Sequence, residues 1–139
     1  MIIHHATMSL RTQGFSDCHD ITRDVESAVR DSGVRNGLAT VMVSGSTAAV
    51  TTIEFEPGAV SDLKQALERL APTDIEYAHN LRWGDGNGFS HVRAALMRPS
   101  LGIPVAEGKL CLGTWQQLVL LDFDNRPRSR SILVQVMGE

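Results

Sequence analysis

The last third of this 139-residue sequence contains strand-like segments that follow one another without an intervening helix. Apolar or β-branched runs at 110–112, 118–121 and 131–137 are separated by polar turns, one of them at 124–127. Before them the sequence predicts a strand at 2–12, a helix, two strands, a second helix and a long loop. This order predicts an α+β fold with a largely antiparallel sheet.

Two amphipathic stripes predict the helices. The first runs from Ile21 to Val29, where Asp20 is suited to cap the helix and Gly33 to end it. The second covers 60–70 and stops before Pro72. A third short helix is expected over 89–98, so we expect two or three short helices in all.

The two central strands differ in pattern. The continuous apolar run 37–43 predicts a strand that is buried on both faces. The segment 50–56 alternates, which places Glu54 on the face opposite Ile53 and Phe55.

Composition and charge exclude several classes of protein. With 13 basic against 16 acidic residues the net charge is −3, so we expect no nucleic-acid partner held by bulk positive charge. Cys18 and Cys111 show no metal or redox spacing and are expected to be reduced. The sequence begins without a signal-peptide pattern and contains no apolar run long enough for a bilayer, so we expect a single domain over 1–139 in the cytoplasm, with no membrane partner.

A histidine pair, His79 and His91, brackets the glycine-rich end of the long loop. Neutral imidazoles are common ligands for zinc, and a long loop can bring distant ligands together. The spacing of twelve matches no known ligand signature. Two polar histidines that are solvated or hydrogen-bonded therefore remain the alternative.

Two further polar features have both a chemical and an ordinary interpretation. Glu54 has apolar neighbours, where a carboxylate is costly unless it is paired or bound to a metal; the alternative is a solvated strand face. The turn 44–47 has main-chain N–H groups that can meet an anion in a nest, yet it also serves as a plain turn.

Arginines alternate where the last strand begins, at Arg126, Arg128 and Arg130. Their planar guanidinium groups suit phosphate or carboxylate. The alternative is a charged strand end that prevents edge pairing.

Taken together and in order, these segments resemble the YjbQ-like family, also called the secondary thiamine-phosphate synthase family. The resemblance runs from about residue 8 to residue 139. The segments that carry it are Asn36-Gly37, Ser46–Val50 with Glu54, Tyr77-x-His79-Asn80, Gly84–Asn87 with His91, Pro104-Val105, Gly108–Leu110, Leu112–Gln116, Asp122–Asp124, Arg126–Arg128 and Val134–Glu139.

The resemblance implies a two-layer, β-sandwich-like α+β protein that assembles as a homotrimer. It also implies a site for a small, phosphorylated molecule, a divalent metal such as zinc or magnesium, and a weak, secondary thiamine-phosphate synthase activity. A non-enzymatic metal- or ligand-binding homotrimer is the alternative. The predicted catalytic residues are Glu54, His79, Asp85 and His91, with His79 and His91 as metal ligands; the predicted substrate-binding residues are Ser46, Thr47, Asn80, Asn87, Gln116, Arg128 and Arg130.

One position departs from the family pattern. Gly45 stands where members commonly have a histidine. Since a catalytic zinc usually has three protein ligands, a third would have to come from Glu54, Asp85, a neighbouring subunit or water.

Overall fold

The computed structural model describes residues 1–139 as eight strands and four helices. The strands are β1 (Ile2–Thr12), β2 (Asp17–Asp20), β3 (Gly37–Val43), β4 (Ala48–Ile53), β5 (Ser100–Ala106), β6 (Lys109–Leu110), β7 (Gln117–Asp122) and β8 (Arg128–Gly138). The helices are α1 (Thr22–Ser32), α2 (Pro57–Leu70), α3 (Ala78–Trp83) and α4 (Gly88–Met97).

The strands form two sheets in which every paired neighbour is antiparallel. The larger sheet has the order β1-β8-β3-β5-β6 and the smaller one β2-β7-β4. The longest ladder joins the first and last strands, from Ile2 opposite Gly138 to Thr12 opposite Arg128. The expected α+β class with antiparallel sheets is therefore confirmed.

Two hydrophobic clusters lie on the two sides of the smaller sheet. On one side, Leu118 and Leu120 pack with α1 and the inner face of the larger sheet. On the other, Val119 and Leu121 pack with Leu67 of α2 and other residues. The smaller sheet is therefore a middle layer, and β7 is its central strand.

The prediction that the run 37–43 is buried on both faces was wrong. Ala39, Val41 and Val43 are fully buried, but Leu38 and Met42 are 44% and 45% exposed. The reason is that β3 belongs to the larger sheet, whose outer face no other part of the chain covers. The strand that is buried on both faces is β7, because it lies between the two clusters.

The residues Glu56 and Pro57 set the start of α2, shortly after β4 ends. The predicted strand 50–56 ends early, at Ile53. The Glu56 carboxylate accepts hydrogen bonds from the main-chain N–H groups of Gly58 (2.7 Å) and Ala59 (2.8 Å), and Pro57 occupies the first turn. Since proline and an acidic cap both favour a helix start, α2 begins three residues before the predicted position.

The first helix agrees with the expected range except at its cap. Its cap residue is Ile21, while the Asp20 carboxylate accepts hydrogen bonds from the N–H and the hydroxyl of Thr22 at 2.9 and 2.6 Å. Gly33 ends the helix with φ of 73°, as expected. The long loop also contains the short helix α3, so the chain has four helices rather than two or three. None of them combines the length and the apolar character that a bilayer crossing requires.

Candidate functional site

Two short helices bring the histidines together. His79 lies on α3 and His91 on α4, and the intervening turn 84–87 reverses the chain through the left-handed Gly84 and Gly86. The two imidazole rings lie 4.3 Å apart between centroids, with a tilt of 38°. The two histidines that the sequence indicated are therefore adjacent in the fold, although they lie twelve positions apart in the sequence.

Side-chain amides and a carboxylate hold this turn in place. Asn80 Oδ1 accepts from the N–H of Gly88 at 2.9 Å, and Asp85 Oδ1 accepts from the N–H of Asn87 at 3.1 Å. The Asn87 side-chain oxygen in turn accepts from the Ser90 hydroxyl and from the main chain of Asn125. Asn80, Asp85 and Asn87 therefore use their side-chain oxygens to fix the loop that positions the histidines.

The histidine pair is incompletely satisfied. His79 Nδ1 is buried without a hydrogen-bond partner, although Asp85 Oδ1 lies 3.4 Å away. Burial, together with the neighbouring His79, lowers the pKa of His91, and this outweighs Asp85, Asp124 and the main chain of Ser46, which act to raise it. His91 is therefore held in the neutral form, in which imidazole can bind a metal or accept a proton.

Arg130 is mostly engaged inside the protein. Its Nε and Nη2 donate to the Asp122 carboxylate at 2.6 and 2.9 Å, and Nη2 also donates to the Thr47 hydroxyl at 2.5 Å. Thr12 donates to the same carboxylate at 2.6 Å. Asp122 therefore occupies the Nε and Nη2 edge of the Arg130 guanidinium, and the prediction that Arg130 binds a ligand anion is limited to its remaining nitrogen, Nη1.

The neighbouring carboxylate, Asp124, is only half satisfied. Its Oδ2 accepts hydrogen bonds from Thr47 at 2.9 Å and from Arg128 Nε at 3.0 Å. Burial acts to raise the pKa of Asp124, but the Thr47 hydroxyl and the Arg128 guanidinium beside it hold that pKa below its ordinary value. Its Oδ1 is buried and has no partner. A charged oxygen is therefore available in a protected position beside Thr47.

The turn 44–47 lies against these groups. The N–H of Ser44 donates to Ser131, but the N–H groups of Gly45 and Ser46 donate to no protein acceptor. A Cβ added to Gly45, whose φ is 118°, would lie 2.7 Å from Arg130 Nη1, so glycine leaves room beside that nitrogen. Arg130 keeps only Nη1 as a donor towards a ligand.

Glu54 and Gln116 lie elsewhere in the chain. Thr47 precedes β4 and Glu54 follows it, and a strand of that length separates them by about 20 Å. Gln116 donates to Thr52 at 3.1 Å and accepts from the N–H of Gly113. Within one chain, neither residue reaches the histidines, so Glu54 does not supply a third ligand there.

The side chains of one chain do not form a complete metal site. No three histidine, cysteine, aspartate or glutamate side chains converge in a way that would hold a metal ion. One chain therefore offers the two imidazoles and no complete tetrahedral set. The orphaned Nδ1 of His79 fits an ion whose other ligands come from solvent, substrate or another copy.

The sequence interpretation assigned no role to Asp122, Asp124 or Asn125. The signal that was available is their spacing: two acidic residues two apart precede two arginines two apart, at Arg128 and Arg130. In strands that spacing places side chains on a common face, where opposite charges can pair.

Known proteins resemble this chain over its whole length. The family model of the UPF0047 protein YjbQ-like family matches residues 6–139. A UPF0047 protein of Methanothermobacter thermautotrophicus is 37% identical over 139 residues, which is all of this chain and 95% of that protein. A second one, from Archaeoglobus fulgidus, is 35% identical over 94% of this chain and 98% of its own length.

Solved structures agree with the sequence relatives. The crystal structure of a YbjQ-like protein of unknown function from Sulfolobus solfataricus superimposes with a TM-score of 0.94 at 32% identity, covering 99% of this chain and 98% of that one. A YjbQ/UPF0047 family protein from Clostridium acetobutylicum gives 0.87 at 34% identity over 95% and 99% of the two chains. The resemblance stated from the sequence is confirmed: the chain belongs to the YjbQ-like UPF0047 family.

Proposed function

We propose that this protein binds a small phosphorylated molecule between the histidine pair and the turn 44–47. The observation that carries the proposal is a convergence of polar groups without protein partners. They are His79 Nδ1, Asp124 Oδ1, Arg130 Nη1 and the N–H groups of Gly45 and Ser46. Buried polar groups normally find partners, so the two buried orphans, His79 Nδ1 and Asp124 Oδ1, favour a ligand, and the exposed N–H groups of the turn are free to contact it.

The donors and the acceptor of this site have distinct roles. The terminal nitrogens of Arg128, whose Nε is held by Asp124, would contact the phosphate together with the N–H groups of the turn. Asp124 Oδ1 would accept a hydrogen bond from an N–H or O–H of the ligand. The neutral ring of His91 would act as a hydrogen-bond acceptor or a base.

We further propose that His79 and His91 bind a divalent metal weakly and exchangeably, and of zinc and magnesium the imidazole pair favours zinc, because magnesium prefers oxygen ligands. A bound metal ion would supply stabilisation of negative charge on a leaving group. The chemistry proposed on family resemblance is a transferase side activity in which the ring nitrogen of a thiazole phosphate forms a C–N bond to a pyrimidine diphosphate. The C–O bond to pyrophosphate breaks in the same step, and thiamine phosphate results. The chain's own residues would orient the two precursors and hold the released anion.

The test is turnover of both phosphorylated precursors by the purified full chain, with metal added or chelated. We expect slow, metal-dependent formation of thiamine phosphate that is lost in His79→Ala. The matched control is His5→Ala, an exposed histidine on β1. Turnover that His79→Ala leaves unchanged would contradict the site, and metal-independent turnover would contradict the role of the metal.

A second candidate is a non-enzymatic homotrimer that binds metal or ligand. It is supported by the outer face of the larger sheet, where Leu38, Met42 and Leu133 are each more than 40% exposed and Ile3 is 59% exposed. Strand pairing places Met42 beside Leu133, so these side chains form a contiguous apolar surface. Such surfaces mark contact sites on proteins.

The assembly is tested by light scattering during gel filtration. We expect the mass of three chains for the natural protein and of one chain for Leu133→Asp. Ser61→Asp, an exposed change on α2 away from the larger sheet, is the control for added charge. A natural protein that elutes with the mass of a single chain would contradict the trimer.

We propose the cytoplasm as the location. Both cysteines are free thiols, and burial raises the pKa of Cys18 to about 11, which keeps it protonated and unreactive. Two unpaired cysteines fit a reducing compartment.

A further inference from the structure

A second concave site lies away from the histidines. It is a cleft of about 550 Å³ between α1 and the turn that joins β5 to β6. Its walls are the last turns of α1, the connection Gly33–Arg35 and the segment Glu107–Leu110, so it shares no residue with the histidine site. The volume is in the range of about 300–1,000 Å³ that is typical of small-molecule sites.

The cleft is built from backbone that is fixed in place. Glu107 and Gly108 have φ angles of 53° and 77°, which makes a tight two-residue hairpin turn. The N–H of Gly108 donates to the main-chain oxygen of Arg35 at 2.8 Å and ties this turn to the segment after α1. A Cβ on Gly108 would lie 3.6 Å from Arg35 Nη1, so the guanidinium lies over the turn. The cleft is therefore preformed.

Three basic side chains line the cleft without an ionic partner. Arg30, Arg35 and Lys109 take part in none of the six ion pairs of the molecule. Arg30 lies in the last turn of α1, where it faces the negative end of the helix dipole and is partly compensated. Arg35 and Lys109 are left as the cations available to a ligand.

The remaining lining limits the size and the charge of the occupant. Leu110 contributes the apolar surface of the cleft, because Val29 and Val34, which also border it, are each only 1% exposed. Glu26 and Glu107 also line the cleft, so its charged lining is three basic and two acidic side chains, a small positive excess and not a broad basic surface. The combination suits one compact anionic group attached to an apolar body.

We propose that this cleft binds a small organic phosphate monoester, independently of the histidine site. The phosphate lies between Arg35 and Lys109, where a planar guanidinium and an ammonium donate charge-assisted hydrogen bonds. A small apolar body lies against Leu110.

The experiment titrates 1-naphthyl phosphate into the ¹⁵N-labelled full chain and follows the amide signals of Gly33 and Gly108. We expect saturable shifts there, with affinity about tenfold weaker in Arg35→Ala and in Lys109→Ala, since a charge-assisted hydrogen bond contributes that much. Arg23→Ala is the matched control, because Arg23 is an exposed arginine of α1 outside the cleft. Naphthol, which lacks the phosphate, should bind more weakly.

A variant of the proposed phosphate site beside His91 distinguishes binding there from binding in this cleft. The amide shifts at Gly33 and Gly108 should remain in Arg128→Ala, even where that substitution alters the signals of Asn87 and Asn125. The proposal would be overturned if no saturable shift appeared at Gly33 and Gly108, or if Arg128→Ala abolished the Gly108 shift. It would also be overturned if Arg23→Ala weakened binding as much as Arg35→Ala does.

Discussion

Two polar clusters lie side by side in this molecule and differ in how far the fold satisfies them. In the first, the Asp122 carboxylate receives hydrogen bonds from both Nε and Nη2 of Arg130, from Thr12 and from the N–H of Asp124. In the second, the two imidazoles of His79 and His91 lie 4.3 Å apart, and His79 Nδ1 has no partner. Thr47 and Asp124 connect them, since Thr47 touches Arg130 and Asp124 lies near His91.

The difference shows what each cluster is for. A buried ion pair with every lone pair in use contributes to a unique packing of the strands that carry it, here β1, β7 and β8. Orphaned buried atoms cost free energy in the folded state, so they persist where another demand outweighs stability. The satisfied pair is therefore structural, and the incomplete one is where ligand chemistry is proposed.

Removal of one partner from the satisfied pair should have the largest effect. Asp122→Asn leaves Arg130 buried, at 8% exposure, with only the more distant Asp124 as a counter-charge. Breaking a buried ion pair in this way costs about 3 kcal/mol or more. We expect a loss of that size in the free energy of unfolding, measured by urea denaturation.

Two matched variants sharpen this result. His79→Gln should change the free energy of unfolding by about 0.5 kcal/mol or less, because the ring nitrogen it removes makes no hydrogen bond.

The double variant Asp122→Leu with Arg130→Met should be less destabilised than the sum of its single changes, since no charge is left uncompensated. If the two losses simply add, Asp122 and Arg130 do not act as a pair.

Local periodicity was enough to predict several elements of the fold. The strand at 2–12 and the last strand were predicted from their β-branched residues, and the helix of the 21–29 stripe was predicted from its apolar spacing and from Gly33, which ends it. The strands β2 and β5 were missed. The segment Asp17–Asp20 is almost entirely polar and Pro104 interrupts the second, so both are strands because of their partners and not because of their own pattern.

At the candidate site, too, the sequence predicts what local pattern determines and not what the stacking of distant elements determines. The histidine pair was predictable because both residues border one glycine-rich loop, and the loop alone brings them together. The use of Arg130 was not, because Asp122 reaches it only when two different sheets are stacked. Likewise, a continuous apolar run does not say whether it belongs to the middle layer, as in β7, or to a sheet with an open face, as in β3.

The smallest expected effect concerns the pH dependence of the incomplete cluster. Burial and the neighbouring His79 lower the pKa of His91 from the ordinary 6.5. Below 6.5 the unfolded chain takes up a proton that the folded state refuses until its own lower pKa is reached. The contribution of His91 to stability is therefore complete above 6.5 and is lost as the pH falls through the window between the two values.

Urea denaturation at neutral and at mildly acidic pH measures this effect. His91→Asn should lose less stability on acidification than the natural protein, whereas His5→Asn, at an exposed histidine, serves as the control. Since part of the shift comes from His79, His79→Asn should raise the titration midpoint of the His91 ring, followed by NMR, towards 6.5. A midpoint that stays the same would mean that burial alone sets the pKa of His91, and that the two rings do not titrate as neighbours.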